Sequence, residues 1–294
     1  MSDLIQVCNL CKTYADFTLD DISFSVEPGM VVGLIGSNGA GKTTTLKLIL
    51  GLINADKGSA SVLGQPSDAT TTGAFKEKVG VVFDSCSFPA SMRVMDIGKL
   101  GAVAYGNWDK PYFSQLCESF GLALSKKVGE LSRGMGMKLS LAFALAHHPQ
   151  LLILDEATAG LDPLAREDVL EMLRDFMSDQ TRGILMSSHI TSDLDKIADQ
   201  VICIDNGKII FDVAQDQIND IAGIAHLRSL EVDDVVAWLK STEGSSSVYM
   251  LKQGYETLAL IPDRIAFAQK FPDVVVERAT IESYMTLVLK GGNR

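Results

Sequence analysis

An apolar run that leads directly into a glycine-rich segment constrains this chain more than any other feature. Residues 30–35 form a continuous apolar run, which is typical of a strand that is buried on both faces. Residues 36–43 read GSNGAGKT, and a helix is predicted from Lys42 to about Leu50, ending at Gly51. This order places a tight loop at the carboxyl end of a buried strand, where open α/β sheets bind their ligands.

Residues 36–43, called the phosphate loop below, fit the pattern G-x-x-x-x-G-K-[ST]. Glycines let the main chain wrap closely around a polyphosphate, and successive N–H groups at a helix N-terminus supply positive potential. Lys42 can reach the β- and γ-phosphates of a nucleotide, and the Thr43 hydroxyl can bind Mg²⁺. An ordinary glycine turn before a helix is the alternative. The predicted contacts are Gly36, Ser37, Asn38, Gly39, Ala40, Gly41, Lys42 and Thr43.

Two carboxylates follow a second apolar run. Leu151–Leu154 is followed by Asp155 and Glu156, so both acids are expected at the carboxyl end of a buried strand. Asp155 is then placed to hold Mg²⁺ through its water shell, and Glu156 to polarise an attacking water. A strand that simply ends at a polar surface turn is the alternative.

Composition excludes several classes of protein. The 294 residues carry 26 Lys and Arg against 37 Asp and Glu, a formal charge of −11, so binding to nucleic acid through bulk charge is not expected. No apolar run approaches the ~20 residues of a membrane-spanning helix. The N-terminus lacks a basic region followed by an apolar core, so we expect no signal peptide. The five cysteines include one C-x-x-C pair without a second pair nearby, and we expect no metal there.

The remaining strands indicate an α/β fold. Buried strands are predicted at residues 79–83, 184–186 and 201–204, and helices separate most of them, which favours a mostly parallel sheet covered on both faces. Residues 4–26 suggest an antiparallel β region, and residues 88–149 an inserted helical subdomain. The Asn-Gly turn at 206–207 predicts a hairpin.

The character of the chain changes after Phe211. Residues 213–240 are interpreted as two amphipathic helices, and short strands and helices are expected beyond them. We therefore predict two domains, 1–214 and 215–294, the second a small α+β extension.

The motifs and their order along the chain resemble those of the nucleotide-binding subunit of ATP-binding cassette (ABC) transporters. The resemblance covers about residues 3–212, and detail at 83–84 and 131–135 is most similar to the ATPases of bacterial ABC-2-type exporters. It rests on the phosphate loop, the signature motif Leu131–Met135, the Walker B strand Leu151–Glu156, the D-loop Ala159–Asp162, the switch histidine in Ser187–His189, and Tyr14, where the family stacks an aromatic ring on adenine.

The resemblance implies a P-loop NTPase core that binds ATP and Mg²⁺. Two subunits, either two copies or this chain and a related ATPase, would close head to tail on two ATP molecules and drive export through a separate membrane subunit (permease) at the inner, cytoplasmic face. Each site would combine residues of both chains. One chain would supply the phosphate loop, the next residue Thr44, and Asp155, Glu156 and His189. The other chain would supply Ser132, Gly134 and Asp162. The membrane subunit is expected near residues 84–95.

Three residues depart from the family pattern. Asp84 stands where the family usually has glutamine, and we expect it still to bind the metal. Arg133 replaces a glycine of the signature motif, and its cation could approach the opposing nucleotide or point to solvent. Ala157 replaces a proline. His147 and His148 are interpreted as surface or helix-end residues.

Two other functions fit parts of the pattern. Soluble ABC ATPases of translation or DNA repair carry two cassettes or a long coiled coil, for which this chain has no room. A regulatory ATP-binding module that has lost hydrolysis would not need Glu156 and His189.

Overall fold

The computed structural model describes residues 2–68, 74–243 and 248–293. Among them, three sheets organise the fold. The first is antiparallel, with strand order β2-β1-β4-β5. Its strands are β1 (Ile5–Thr13), β2 (Thr18–Val26), β4 (Lys57–Val62) and β5 (Gln65–Pro66).

The second sheet carries the predicted site. Its order is β10-β9-β3-β8-β7-β6, parallel except for the final hairpin between β9 and β10. Every residue of β3, β7 and β8 is buried, as expected for parallel strands covered on both faces. The strands are β3 (Val31–Ile35), β6 (Val79–Val82), β7 (Leu151–Asp155), β8 (Gly183–Ser187), β9 (Gln200–Asp205) and β10 (Lys208–Ala214).

Helices cover this sheet. The segment between β6 and β7 holds three of them, α2 to α4, and α4 is buried along most of its length. The helices associated with the second sheet are α1 (Lys42–Ile49), α2 (Val94–Ala104), α3 (Lys110–Ser119), α4 (Arg133–Leu145), α5 (Pro163–Phe176) and α6 (Thr191–Ile197), with 3₁₀ turns at Ala74–Lys78 and Val128–Glu130. The α/β fold with an antiparallel region predicted from the sequence is confirmed.

The third sheet belongs to the C-terminal part, with antiparallel order β14-β11-β13-β12-β15. Its strands are β11 (Gly223–Leu227), β12 (Tyr249–Gln253), β13 (Glu256–Ile261), β14 (Val275–Arg278) and β15 (Gly292–Asn293), and its helices are α7 (Val232–Glu243), α8 (Arg264–Lys270) and α9 (Ile281–Lys290). Helix α9 packs against α6. The predicted domain boundary at residue 215 stays a prediction, although β10 ends at Ala214.

One expectation for this region is wrong. Residues 213–240 contain one α-helix, α7, instead of two, because β10 extends to Ala214, a single π-helical turn covers Gln217–Ile221, and β11 follows. The apolar spacing of Ile218, Ile221 and Ile224 fits a helix, but it is too short to exclude a turn that leads into a strand. A Cβ on Gly223 would lie 2.8 Å from a Val276 methyl group, so close packing of strands decides the structure here.

Candidate functional site

The phosphate loop connects β3 to α1 in a conformation that needs its glycines. Gly36, Gly39 and Gly41 have φ angles of 151°, 82° and 119°, which side chains rarely tolerate. A Cβ on Gly36 would lie 2.1 Å from the carbonyl oxygen of Ile204, and one on Gly41 would lie 2.7 Å from Leu19. The loop is therefore held against the sheet by contacts that only glycine permits.

Lys42 lies across this loop. Its side chain is buried and its ammonium group donates to the carbonyl oxygens of Gly36 at 2.8 Å and Ser37 at 3.2 Å. The same Nζ lies 3.8 Å from Oε1 of Glu156. The ammonium group thus sits between the turn of the loop and the carboxylate that follows β7, where it can meet a phosphate.

Asp155 ends β7 with its carboxylate fixed on both oxygens. Oδ2 accepts from the Thr43 hydroxyl at 2.8 Å, and Oδ1 accepts from the Ser187 hydroxyl at 2.5 Å. Asp155 is 3% exposed. These bonds join three segments, the start of α1 and the carboxyl ends of β7 and β8, as the sequence predicts from neighbouring parallel strands.

Glu156 and His189 form a pair next to Asp155. The main-chain N–H of His189 donates to Oε2 of Glu156 at 3.2 Å, and Nδ1 of the ring lies in contact with the same oxygen. Glu156 itself has a φ of 54°, a strained conformation that is characteristic of functional positions. The histidine ring is half exposed while the carboxylate is largely covered, so the pair faces outward from the sheet edge.

A cavity of about 280 Å³ opens beside the phosphate loop and Glu156. It brings together the phosphate loop, Asp84 from the segment after β6, and Glu156, although these lie far apart in the chain. The lining residues are Phe17, Asn38, Gly39, Ala40, Gly41, Lys42, Thr43, Thr44, Asp84 and Glu156.

The oxygen donors around the cavity suit Mg²⁺. Thr43, Asp84 and Asp155 offer a hydroxyl and two carboxylates, which are hard ligands that Mg²⁺ prefers. Over the described ranges, no group of three or more His, Cys, Asp or Glu side chains is arranged to hold a metal ion. The chain would thus supply only part of a coordination shell, as is usual for Mg²⁺ bound together with phosphates and water.

The aromatic residue beside the cavity is Phe17, which the sequence analysis missed. Tyr14 is 45% exposed, and the Lys12 ammonium group lies 5.9 Å from the centre of its ring. The main-chain N–H of Tyr14 donates to the carbonyl of Phe17 at 2.8 Å, so the turn between β1 and β2 carries both rings. The sequence indicates an aromatic residue on that turn, but spacing alone does not choose between Tyr14 and Phe17.

Ser132, Gly134 and Asp162 lie outside the cavity and form a second group. Ser132 Oγ accepts from Met135 N at 3.2 Å at the start of α4. Asp162 Oδ1 accepts from two main-chain N–H groups at the start of α5. The hydrogen bond from Ala165 N is the main cause that lowers the pKa of the Asp162 carboxyl. A Cβ on Gly134 would lie 3.3 Å from a methyl of Leu161, so the two helix starts adjoin.

The ABC transporter family profile matches residues 19–159. The bacitracin transport ATP-binding protein BcrA of Bacillus licheniformis is 32% identical over 227 residues, 74% of this chain and 72% of that protein. The Nod factor export ATP-binding protein I of Burkholderia lata is 37% identical over 212 residues, 69% of this chain and 68% of that protein. This chain belongs to the ABC transporter ATP-binding proteins.

A solved ATP-binding subunit of an ABC transporter agrees with this assignment. It matches with a TM-score of 0.68 at 30% identity, covering 73% of this chain and 91% of that chain. The predicted family is thereby confirmed: the chain is an ATP-binding subunit of an ABC transporter and an ATPase. In the part of the chain that the structure describes, no helix has the length and apolar character to cross a bilayer.

Arg133, in the signature motif, also makes a contact that the sequence does not predict. The residue is exposed, and its guanidinium carbon lies 3.0 Å from where a Cβ of Gly160 would be. Gly160 has a φ of 74°, so glycine is favoured there for both backbone and space. Arg133 therefore rests on the D-loop of its own chain.

His147 lies at the end of α4, one of its two expected positions, but it is not a surface residue. It follows α4 and is 0% exposed, with its ring stacked on Tyr105 at a centroid distance of 4.0 Å. Burial, as the main cause, lowers the pKa of His147 and favours the neutral ring. His148 matches its expected position, because it is exposed and its Nε2 lies 3.0 Å from Asp109 Oδ2. The burial of His147 could not be predicted from the sequence, because its apolar surroundings come from α2, α3 and α4.

Proposed function

We propose that this chain hydrolyses MgATP in a head-to-tail pair with a second copy, and that pairing drives export through a separate membrane subunit at the cytoplasmic face. The observation that carries the proposal is that Lys42 and Glu156 line the cavity, while His189 is bound to Glu156. Ser132 and Asp162, which the family pattern assigns to the same reaction, lie outside that cavity. One chain thus presents two half-sites, and a second chain in reversed orientation would complete each of them.

Each side chain has a role that its contacts support. The phosphate loop and Lys42 bind and orient the phosphates, where the ammonium group offsets charge that develops on the terminal phosphate. Thr43, Asp155 and Asp84 would hold Mg²⁺, which would supply further positive charge near the phosphates.

Glu156 accepts a hydrogen bond from water and aims it at the γ-phosphate, and His189 holds the Glu156 carboxylate and contacts the same phosphate. Ser132, at the start of α4, contributes a hydroxyl and a helix N-terminus to the nucleotide of the opposite chain. The adenine ring packs on the turn that carries Tyr14 and Phe17.

Export is supported by the name of the Nod factor export ATP-binding protein I, and transport by that of the bacitracin transport ATP-binding protein BcrA. The surface for the membrane subunit is proposed along residues 84–95 and the outer face of α2. Phe88 packs edge to face on Phe143 at 5.1 Å, so it contributes less free surface than expected. On α2, Met95, Leu100 and Val103 are 43%, 42% and 87% exposed, and exposed apolar side chains of this kind would fit a protein partner.

Replacing Glu156 with Gln tests the hydrolytic role. The amide keeps the shape of the side chain but cannot act as a base, so ATP turnover should fall by roughly a hundredfold or more, while ATP affinity is kept and ATP-dependent dimers accumulate. Turnover and mass in solution measure the two effects. Glu171→Gln, an exposed carboxylate on α5, is the matched control. Wild-type turnover in Glu156→Gln would remove the residue from its role.

A further inference from the structure

The C-terminal part of the chain is attached to the helix that follows the switch histidine. Helix α6 begins at Thr191, two residues after His189. Asp195, on α6, accepts on Oδ1 from the main-chain N–H of Ile281 at 3.2 Å and from Asn219 Nδ2 at 3.2 Å. Its main-chain oxygen accepts from Gln215 Nε2 at 3.1 Å. All three donors lie beyond residue 214.

These bonds lie in a packed interface. Ile281, the first residue of α9, is 0% exposed and belongs to the same apolar core as Leu194 of α6. Asp195 is half-buried, and hydrogen bonds to a charged group in such surroundings are stronger than neutral ones. The α9 N-terminus also favours a negative charge. The interface between the C-terminal part and α6 thus combines directional hydrogen bonds with buried apolar contacts.

Helix α6 adjoins the candidate site at two places. At its start, the loop 188–190 brings His189 to Glu156. On its inner face, Leu194 lies 2.9 Å from where a Cβ of Gly33 would be, on the strand that enters the phosphate loop. Helix α5 also contacts α6 through two ion pairs. Lys196 pairs with Glu167, and Asp193 lies 3.8 Å from Arg166. A shift of α6 would therefore move the His189 loop.

We propose that Asp195 is a positioning residue. By binding α9 and Asn219 it ties the described residues of the C-terminal part, 215–243 and 248–293, to α6, and this attachment fixes the approach of His189 to Glu156. The inference rests on the proposed role of His189 in hydrolysis. It gives the C-terminal part a function in the ATPase cycle, because any partner that pulls α9 from α6 would loosen the catalytic pair.

The test compares three variants of the full chain. Asp195→Ala removes the acceptor for both donors, Asp195→Asn retains an oxygen in the same place, and Asp234→Ala removes an exposed carboxylate of α7 as a matched control. In Asp195→Ala, kcat should fall by about tenfold with KM little changed, because the displaced groups act on chemistry and not on binding. Asp234→Ala should resemble the wild type, and Asp195→Asn, which keeps the acceptor oxygen without the charge, should recover most of the lost kcat.

A second readout does not depend on activity. The chain has 4 histidines, so ¹⁵N-labelled imidazole resonances are few, and His189→Ala identifies the signal of His189 by its loss. At fixed pH and without nucleotide, the His189 signal should move in Asp195→Ala, move less in Asp195→Asn and stay in place in Asp234→Ala. A simple loss of stability would not move the signal of the folded fraction.

The outcomes separate the two proposals. An unchanged His189 signal and kcat in Asp195→Ala would overturn the positioning role. Normal turnover in His189→Ala would instead overturn the proposed role of His189, whatever the resonance does. If Asp195→Ala does not fold, Asn219→Ala, which removes one donor and leaves Asp195 intact, should move the same signal in the same direction, and no movement there would contradict the inference.

Discussion

At the scale of single residues, the site depends on a few side chains with fixed partners. Asp155 is held by Thr43 and Ser187 on its two oxygens, so its carboxylate has one orientation and little freedom to respond. Asp84 differs, because it is exposed and lines the cavity from a segment outside the sheet. We infer that Asp155 is the fixed member of a magnesium site and Asp84 the adjustable one.

Replacing Asp84 with Ala should weaken the response to Mg²⁺. Loss of one oxygen ligand or of its hydrogen bond to a bound water should raise the Mg²⁺ concentration for half-maximal ATPase by about tenfold. Titration of activity with Mg²⁺ at constant ATP measures this, with Ser87→Ala, exposed in the same segment, as control. Equal Mg²⁺ dependence in both variants would show that Asp84 does not act on the metal.

At the scale of elements, polar side chains set where the functional helices begin. Ser132 caps α4 and Asp162 caps α5, so the residues assigned to the opposite nucleotide also define the starts of their helices. Asp109 caps α3 in the same way, accepting from Tyr112 N at 2.8 Å. Because a cap satisfies N–H groups that no helix can pair internally, these positions are held rigidly without a nucleotide.

The Asp109 cap should make stability depend on pH. The hydrogen bond from Tyr112 N, and then the contact with His148, lower the pKa of Asp109 from its ordinary 3.8. A depressed folded-state pKa stabilises the fold above the unfolded value, and this contribution disappears as the pH falls through the folded value. Urea unfolding should show the wild type more stable than Asp109→Asn at about pH 7, with the gap shrinking as the pH falls below 3.8 and through the lower folded-state value.

Asp233→Asn, an exposed position on α7, is the control for this pH dependence and should show no such closing gap. A difference between wild type and Asp109→Asn that stays constant from neutral to acid pH would contradict the charged cap. The readout is independent of ATP, because Asp109 does not line the cavity.

At the scale of the whole molecule, the sequence predicts the parts whose physics is local. Strands β3, β7 and β8 were predictable because apolar runs of this length must be buried, and the phosphate loop because φ angles of its glycines are required by its turn. Phe17, the buried ring of His147 and the attachment of α9 to Asp195 were not, because each depends on segments far apart in the chain. The prediction of a second helix in residues 213–240 was wrong for the same reason.

The second copy is the central claim at this scale, and a mixing experiment tests it most directly. Lys42→Ala disables the phosphate loop, and Ser132→Glu places a carboxylate against the phosphate that the opposite chain binds, so neither variant alone should hydrolyse ATP. In a mixed dimer, one of the two sites combines an intact Lys42 with an intact Ser132.

Equal amounts of the two variants should therefore recover roughly a quarter of wild-type ATPase, since half of the dimers are mixed and each has one complete site of two. Each variant measured alone gives the baseline. Activity in the mixture that does not exceed the mean of the two separate variants would contradict the head-to-tail pair.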